Sequence, residues 1–134
     1  DGVRFYNSSI DSTPTRTTAA LSSIPVRSAW VICGGYDKHI PFAPLAKVLR
    51  ERACGVVLTG ATAGAIAKAL AECSDGDAEL PIYHEPEFEA AVRCAAQHAK
   101  LGEMVLLSPA CASFDAFENF AQRGRTFCKI VNQL

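Results

Sequence analysis

The stretch Ala29-Trp30-Val31-Ile32-Cys33-Gly34-Gly35 decides how the rest of the chain is read. Five apolar residues follow one another without polar alternation, and the run stops at two glycines. A strand with one face in water alternates apolar and polar side chains, whereas a strand covered on both faces does not. The run therefore predicts a central strand of a parallel sheet, with helices on either side and a glycine turn at its carboxyl end.

Outward from this strand the same alternation of element types recurs. Upstream, Thr13-Pro14 is a helix start, a hydroxyl cap followed by a proline in the first turn. That helix runs to Ser22 or Ser23, and Pro25 separates it from the strand. Before it, Val3-Arg4-Phe5-Tyr6 alternates as a strand and runs into the polar cluster Asn7-Ser8-Ser9. Downstream, a helix from about Pro41 to Arg52 carries Leu45, Val48 and Leu49 on one face, and a strand Gly55–Leu58 stops at Gly60. Thr62 opens a helix striped by Ile66, Ala69 and Leu70. A loop rich in Asp and Gly, Ser74 to Asp77, then leads to a short strand, Pro81-Ile82-Tyr83. Glu85-Pro86 starts a helix whose Phe88, Ala91, Val92, Ala95 and Ala99 recur at three-and-four spacing. Met104–Leu107 is a last buried strand, broken by Ser108-Pro109. A final helix is expected to begin near Ser113, capped by it, with Asp115 in its first turn and Phe117, Phe120, Phe127, Ile130 and Val131 on its length. Five strands alternating with five helices predict a Rossmann-like three-layer α/β/α sandwich with a mostly parallel sheet of five or six strands. One domain fills residues 1–134.

Composition narrows the function classes. A chain of 134 residues buries roughly two-thirds of its unfolded surface as one domain. A net charge of -1, with acidic and basic residues interleaved, offers no basic stripe for nucleic acid. Apolar runs are too short to span a bilayer, and the amino end has no basic-then-apolar order of a signal peptide. The six cysteines, Cys33, Cys54, Cys73, Cys94, Cys111 and Cys128, include no C-x-x-C pair, so they read as reduced thiols of a cytoplasmic protein with no metal site. The first residue is not methionine, and the chain is expected to be a piece of something longer.

In a parallel sheet, ligands bind outside the carboxyl ends of the strands. Three loops there carry the interest. Asn7 to Thr13 is a run of small polar side chains entering a helix; taken alone it reads first as capping plus a surface turn, and second as an anion site aided by the helix dipole. Gly34-Gly35-Tyr36-Asp37-Lys38 lets backbone approach a ligand and brings up an ammonium group suited to a carboxylate or phosphate. It is neither the dinucleotide G-x-G-x-x-G nor the G-x-x-x-x-G-K-[ST] phosphate loop. Ser108-Pro109-Ala110-Cys111-Ala112-Ser113 is low in charge, and the amides about Ser113 and Phe114 either begin a helix or receive a carboxylate. No histidine pattern supplies a base for Cys111, so a catalytic cysteine is not expected. Gly60-Ala61-Thr62-Ala63-Gly64 is read as a turn that lets helix and strand approach closely, and the Phe114, Phe117, Phe120 series as a helical packing face.

These three loops, in this order, resemble the carboxy-terminal domain of the Mur ligases, in the branch that adds D-glutamate. The resemblance rests on Gly2-Val3-Arg4-Phe5-Tyr6-Asn7-Ser8-Ser9 continued by Pro14-Thr15-Arg16-Thr17, and on Gly34-Gly35-Tyr36-Asp37-Lys38. Its most specific part is Leu106-Leu107-Ser108-Pro109-Ala110-Cys111-Ala112-Ser113-Phe114-Asp115, with Phe117, Asn119-Phe120 and Arg123-Gly124 beyond. It implies a three-domain peptidoglycan enzyme that uses ATP and Mg2+ to phosphorylate the carboxylate of UDP-N-acetylmuramoyl-L-alanine. The amine of D-glutamate then attacks the acyl phosphate. This chain matches the third domain alone, and the other two would hold ATP, Mg2+ and the UDP-sugar. The resemblance further implies that Lys38 pairs with the α-carboxylate of D-glutamate and that Ser12 helps hold it. Ser113 and the backbone near Phe120 would receive the γ-carboxylate, and Asn7, Ser8 and Ser9 would reach the nucleotide or its loop. No residue of this chain is then catalytic, and the enzyme is expected to be a cytoplasmic monomer. The chain departs from the pattern at Ser8, where many relatives have aspartate, at Ile10, where some have lysine, and at Asp11, where a small residue is usual. The alternative is a stand-alone α/β module that binds an anion or nucleotide without chemistry.

Overall fold

In the computed structural model, which describes residues 2–73, 79–114 and 116–134, strands and helices alternate from one end to the other. The strands are β1 (Arg4–Asn7), β2 (Ala29–Cys33), β3 (Gly55–Leu58), β4 (Ile82–His84) and β5 (Met104–Leu107). The helices are α1 (Pro14–Ser22), α2 (Ala43–Arg52), α3 (Ala63–Glu72), α4 (Phe88–His98) and α5 (Phe120–Val131). The sheet has five strands in the order β1-β5-β2-β3-β4, and every pairing is parallel. The predicted loop at Ser74 to Asp77 lies outside the described residues.

Side-chain alternation on the central strands explains their unbroken apolar sequences. Ala29, Val31 and Cys33 of β2 enter one core, together with Val56 and Leu58 of β3 and Leu106 of β5. Trp30 and Ile32, Val57, and Val105 and Leu107 point the other way into a second core. The first core is closed by Leu21 of α1, Leu45 and Leu49 of α2, and Ile66 and Leu70 of α3. The second is closed by Ala91, Val92 and Ala95 of α4 and by Phe127 and Ile130 of α5. Each face of the sheet thus has its own helical layer, and a strand between two dry layers has no polar side to show. Full burial of one such Leu or Ile stabilises by roughly 1.5–3 kcal/mol.

Edge strands depart from that pattern. Tyr6 on β1 and Tyr83 on β4 are both exposed, as suits strands that border solvent on one side.

The last helix begins later than the sequence suggests. Its cap is Asn119, whose side chain accepts from the Gln122 amide at 2.8 Å, and its first residue is Phe120. Residues about Ser113 form a turn instead, with the amides of Ala116 and Phe117 both donating to the Ser113 carbonyl. The physical reason lies one residue upstream, where the Ala112 carbonyl accepts from the Tyr36 amide at 2.8 Å in an antiparallel bridge. That bridge holds the chain extended just where a helix would have to start. The phenylalanine series is consequently not a helix face. Phe117 packs edge-on against Phe88 at 5.1 Å, whereas Phe114 and Phe120 are exposed. Asp115, expected in the first turn, lies outside the described residues.

Candidate functional site

All three predicted loops emerge at the carboxyl edge of the sheet, and hydrogen bonds join them. α1 starts as its sequence dictates: Thr13 accepts from the Arg16 amide at 3.3 Å, and Pro14 occupies the first turn. The loop before it is tied down by its own polar side chains. Asn7 Oδ1 accepts from the Ser9 amide at 3.0 Å, and the Ser8 amide donates to the Leu107 carbonyl at 2.8 Å. Ser9, 4 % exposed, donates its hydroxyl to the Phe120 carbonyl at 2.7 Å.

Arg123 is the organising cation of this edge. Its side chain is buried, with Nε donating to Ser9 Oγ at 2.9 Å, Nη2 to the Ser9 carbonyl at 2.7 Å and Nη1 to the Cys111 carbonyl at 2.8 Å. A guanidinium is the side chain for this task, since its planar fork presents several donors in fixed directions. One α5 residue thereby fastens the loop after β1 to the loop after β5. The sequence carried a signal: Arg123 shares a helical stripe with Phe127 and Ile130, where a solvated charge has no place.

Asp11, one of the departures from the family pattern, has a structural role. It is 7 % exposed, and its carboxylate accepts from the Ser108 hydroxyl at 2.7 Å. The Asp11 carbonyl accepts from the Ala110 amide at 2.9 Å. Ala110 holds a left-handed φ of 63°, a conformation that costs a non-glycine residue of order 1 kcal/mol and persists where its surroundings fix it. Thr17 Oγ1, also fully buried, donates to the Ser108 carbonyl at 3.1 Å. Asp11 and Thr17 thus lock the β5 loop from one side and Arg123 from the other.

The Gly34-Gly35 turn is shaped by close approach. Gly34 has φ +122°, and a Cβ there would fall 1.8 Å from the Thr59 carbonyl oxygen. A Cβ on Gly35 would meet the Ala112 carbonyl oxygen at 2.5 Å. Beyond the turn the chain comes out into solvent, and Lys38 is exposed with no ion pair among the described residues. Lys38 and Ser12 line the same small depression, with Tyr36, Ile40, Ala110 and Cys111. Ser113 follows Ala112 in the bridge to Tyr36 and is buried, and the Tyr36 ring lies edge-on to Phe114 at 5.9 Å. Lys38, Ser12 and Ser113 therefore share one edge. Phe120 sits farther along it, beside Asn7, Ser9 and Ile10. Of the two helix starts expected to serve anions, only that of α1 adjoins Ser12; Ser113 lies seven residues before α5.

By sequence Thr62 is only the opening of a helix, not part of the site. It occupies the cap position of α3 but makes no capping bond, which forgoes about 1 kcal/mol of helix stabilisation. Its hydroxyl instead accepts from the Gly35 amide at 3.1 Å and lies 3.2 Å from Cys111 Sγ. The Thr62 amide returns a bond to the Gly35 carbonyl at 3.2 Å. The neighbouring Gly64 is not a point of close approach, since a Cβ there would meet nothing within 4 Å. Gly60, at φ +75°, is the glycine this turn requires.

Two thiols, Cys33 and Cys111, lie buried at this edge. Burial pushes the Cys33 thiol well above its ordinary range, and the nearby Cys111 adds to the effect. Cys33, Cys94 and Cys111 are buried, Cys54 and Cys73 partly so, and Cys128 is exposed; all six are unpaired to one another. Among the described residues no group of three or more His, Cys, Asp or Glu side chains is placed to hold a metal ion. Among the described residues no helix is long and apolar enough to cross a membrane.

The family described as "Mur ligase, glutamate ligase domain" matches residues 1–111. Over its whole length the chain is similar to UDP-N-acetylmuramoylalanine--D-glutamate ligases. It is 47% identical over 135 residues to that of Clostridium novyi (strain NT), 45% over 137 residues to that of Acetivibrio thermocellus, and 43% over 135 residues to that of Clostridium perfringens (strain 13 / Type A). In each comparison 100% of this chain aligns with 29% of the relative. With its parallel sheet, its glycine-lysine turn and a family match over most of its residues, the chain belongs to the Mur ligase family, in which it corresponds to the glutamate ligase domain.

Proposed function

We propose that this chain is the amino-acid-binding domain of a longer, three-domain, ATP-dependent ligase that adds D-glutamate to UDP-N-acetylmuramoyl-L-alanine in peptidoglycan synthesis. The observation that carries the reading is the Tyr36–Ala112 bridge, which fastens the loop bearing Lys38 to the loop bearing Ser113 on the edge where Ser12 also lies. D-glutamate has two carboxylates, so its site needs two separate groups of donors. In this reading Lys38 takes the α-carboxylate with help from Ser12, and Ser113 with the backbone near Phe120 takes the γ-carboxylate. Asn7 and Ser8 face the nucleotide side, and Ser9, whose hydroxyl and carbonyl are taken up by Phe120 and Arg123, holds their loop in place. ATP and Mg2+, held mainly by the rest of the enzyme, supply the activation of the UDP-sugar carboxylate. The residues of this chain hold the amino acid so that its amine meets the activated carbon, which contributes orientation and effective concentration rather than acid–base chemistry. Closure of this domain onto the others completes the site. The enzyme acts as a cytoplasmic monomer.

The test uses the full-length enzyme supplied with UDP-N-acetylmuramoyl-L-alanine and ATP. ADP release should depend on D-glutamate, and an enzyme indifferent to D-glutamate would end this reading. Lys38→Ala should raise the D-glutamate KM by roughly 10- to 100-fold, the loss of one charge-assisted contact, with the ATP KM unchanged. An unaltered D-glutamate KM would remove Lys38 from the site.

A further inference from the structure

We infer that Thr62, in the turn between β3 and α3, is a positioning residue for the lysine loop and thereby sets the affinity for D-glutamate. The inference rests on the proposed function above and extends it to an element outside the three loops.

Three observations converge on this residue. Thr62 stands at the first position before a helix, where a threonine hydroxyl ordinarily satisfies an amide of its own first turn. Here it makes no such bond. The hydroxyl crosses to the Gly35 amide at 3.1 Å, and the Thr62 amide donates back to the Gly35 carbonyl at 3.2 Å, so both polar groups of Gly35 are held by one residue. The same hydroxyl lies 3.2 Å from Cys111 Sγ in the β5 loop. With its oxygen accepting from Gly35, its proton is available to the sulfur. Thr62 is 1 % exposed, and its hydroxyl is already engaged by the Gly35 amide and Cys111 Sγ. Its influence on chemistry must pass through Gly35.

What Gly35 transmits follows from its place in the chain. Gly35 precedes Tyr36, whose amide bonds the Ala112 carbonyl, and Lys38 follows two residues later. Gly34, at φ +122°, admits no side chain because the Thr59 carbonyl occupies that space. The turn is therefore clamped between the β3 loop and the β5 loop, and Thr62 supplies the clamp on the β3 side. Without its hydroxyl, the Gly35 amide is left buried against an apolar group. Such a donor is costly to leave unpaired, and the turn relieves that cost by shifting. Lys38, three residues on, shifts with it. A cation displaced from its anion by an ångström loses much of a contact that depends on geometry.

The experiment compares Thr62→Val and Thr62→Ser in the full-length enzyme. Valine keeps the shape and removes the hydroxyl, while serine keeps the hydroxyl and removes a methyl. The expected result is a D-glutamate KM raised about tenfold in Thr62→Val, the value of one buried hydrogen bond, and restored to within about twofold in Thr62→Ser. KM values for ATP and UDP-N-acetylmuramoyl-L-alanine should stay within about twofold in both variants. A D-glutamate KM unmoved by Thr62→Val would overturn the inference. So would a serine variant as impaired as the valine one, or a common rise in all three KM values, which marks general loosening. Failure of the functional reading would appear elsewhere, as a wild-type enzyme whose ADP release ignores D-glutamate.

Discussion

Two loops at the same edge of the sheet, those after β1 and β2, use their polar residues in opposite ways. In the first, Ser9 and Asp11 are buried and bonded to the Phe120 carbonyl, Arg123 and Ser108. In the second, the glycines are buried and clamped, yet Lys38, His39 and Ile40 project into solvent. The first loop offers more side-chain donors and acceptors than the second. Most of those groups prove to hold the framework together. Polarity in a loop thus identifies hydrogen-bonding capacity without saying whether a ligand or the protein takes it up. Lys38, a charge that leaves a clamped turn with no ion pair among the described residues, is the group left over for a ligand in the proposed reading.

The difference between the loops can be broken most severely at Arg123. Arg123→Ala removes three hydrogen bonds among the described residues and a buried side chain, and should cost about 3–4 kcal/mol by urea unfolding. A loss below about 1 kcal/mol would show that the first loop is not fastened by this residue. Next in size is Asp11→Ala, which removes one of the two acceptors of the buried Ser108 hydroxyl, the other being Thr17 Oγ1 at 2.9 Å, and should cost about 1 kcal/mol. Asp11→Asn, which keeps an acceptor oxygen, should recover most of that stability in the same titration.

Smallest is the effect expected in the second loop. Lys38→Ala should change stability by less than about 0.5 kcal/mol, as an exposed side chain without an ion pair among the described residues. The same substitution carries the large effect on D-glutamate KM. A stability loss as large as that of Asp11→Ala would erase the distinction between the two loops. Gly64→Ala offers a related contrast with the clamped glycines: it lies on α3 with open space around it and should stabilise by about 0.5 kcal/mol.

Much of this was legible before any coordinates. The unbroken run from Ala29 to Cys33 specified a doubly covered strand, and the alternate entry of its side chains into two cores is why it has no polar face. Thr13-Pro14 specified the start of α1, because both requirements of a helix beginning are local. The position of Lys38 just after a strand was equally local. Asn119, by contrast, was overlooked as the cap of α5 because Ser113 offered an equally good hydroxyl six residues earlier. Only the pairing of Ala112 with Tyr36 decided between them.

By itself, then, the sequence determined the elements, their order and which residues face the two cores, since each depends on periodicity and caps within a few residues. Tertiary structure alone decided how the loops are joined: Arg123 to Ser9 and Cys111, Asp11 to Ser108, Thr62 to Gly35. Those partners lie between 12 and 114 residues apart, and no local preference chooses among donors so widely separated. Packing of the two helical layers on one sheet brings them to the same edge, and the need to satisfy every buried polar group does the rest.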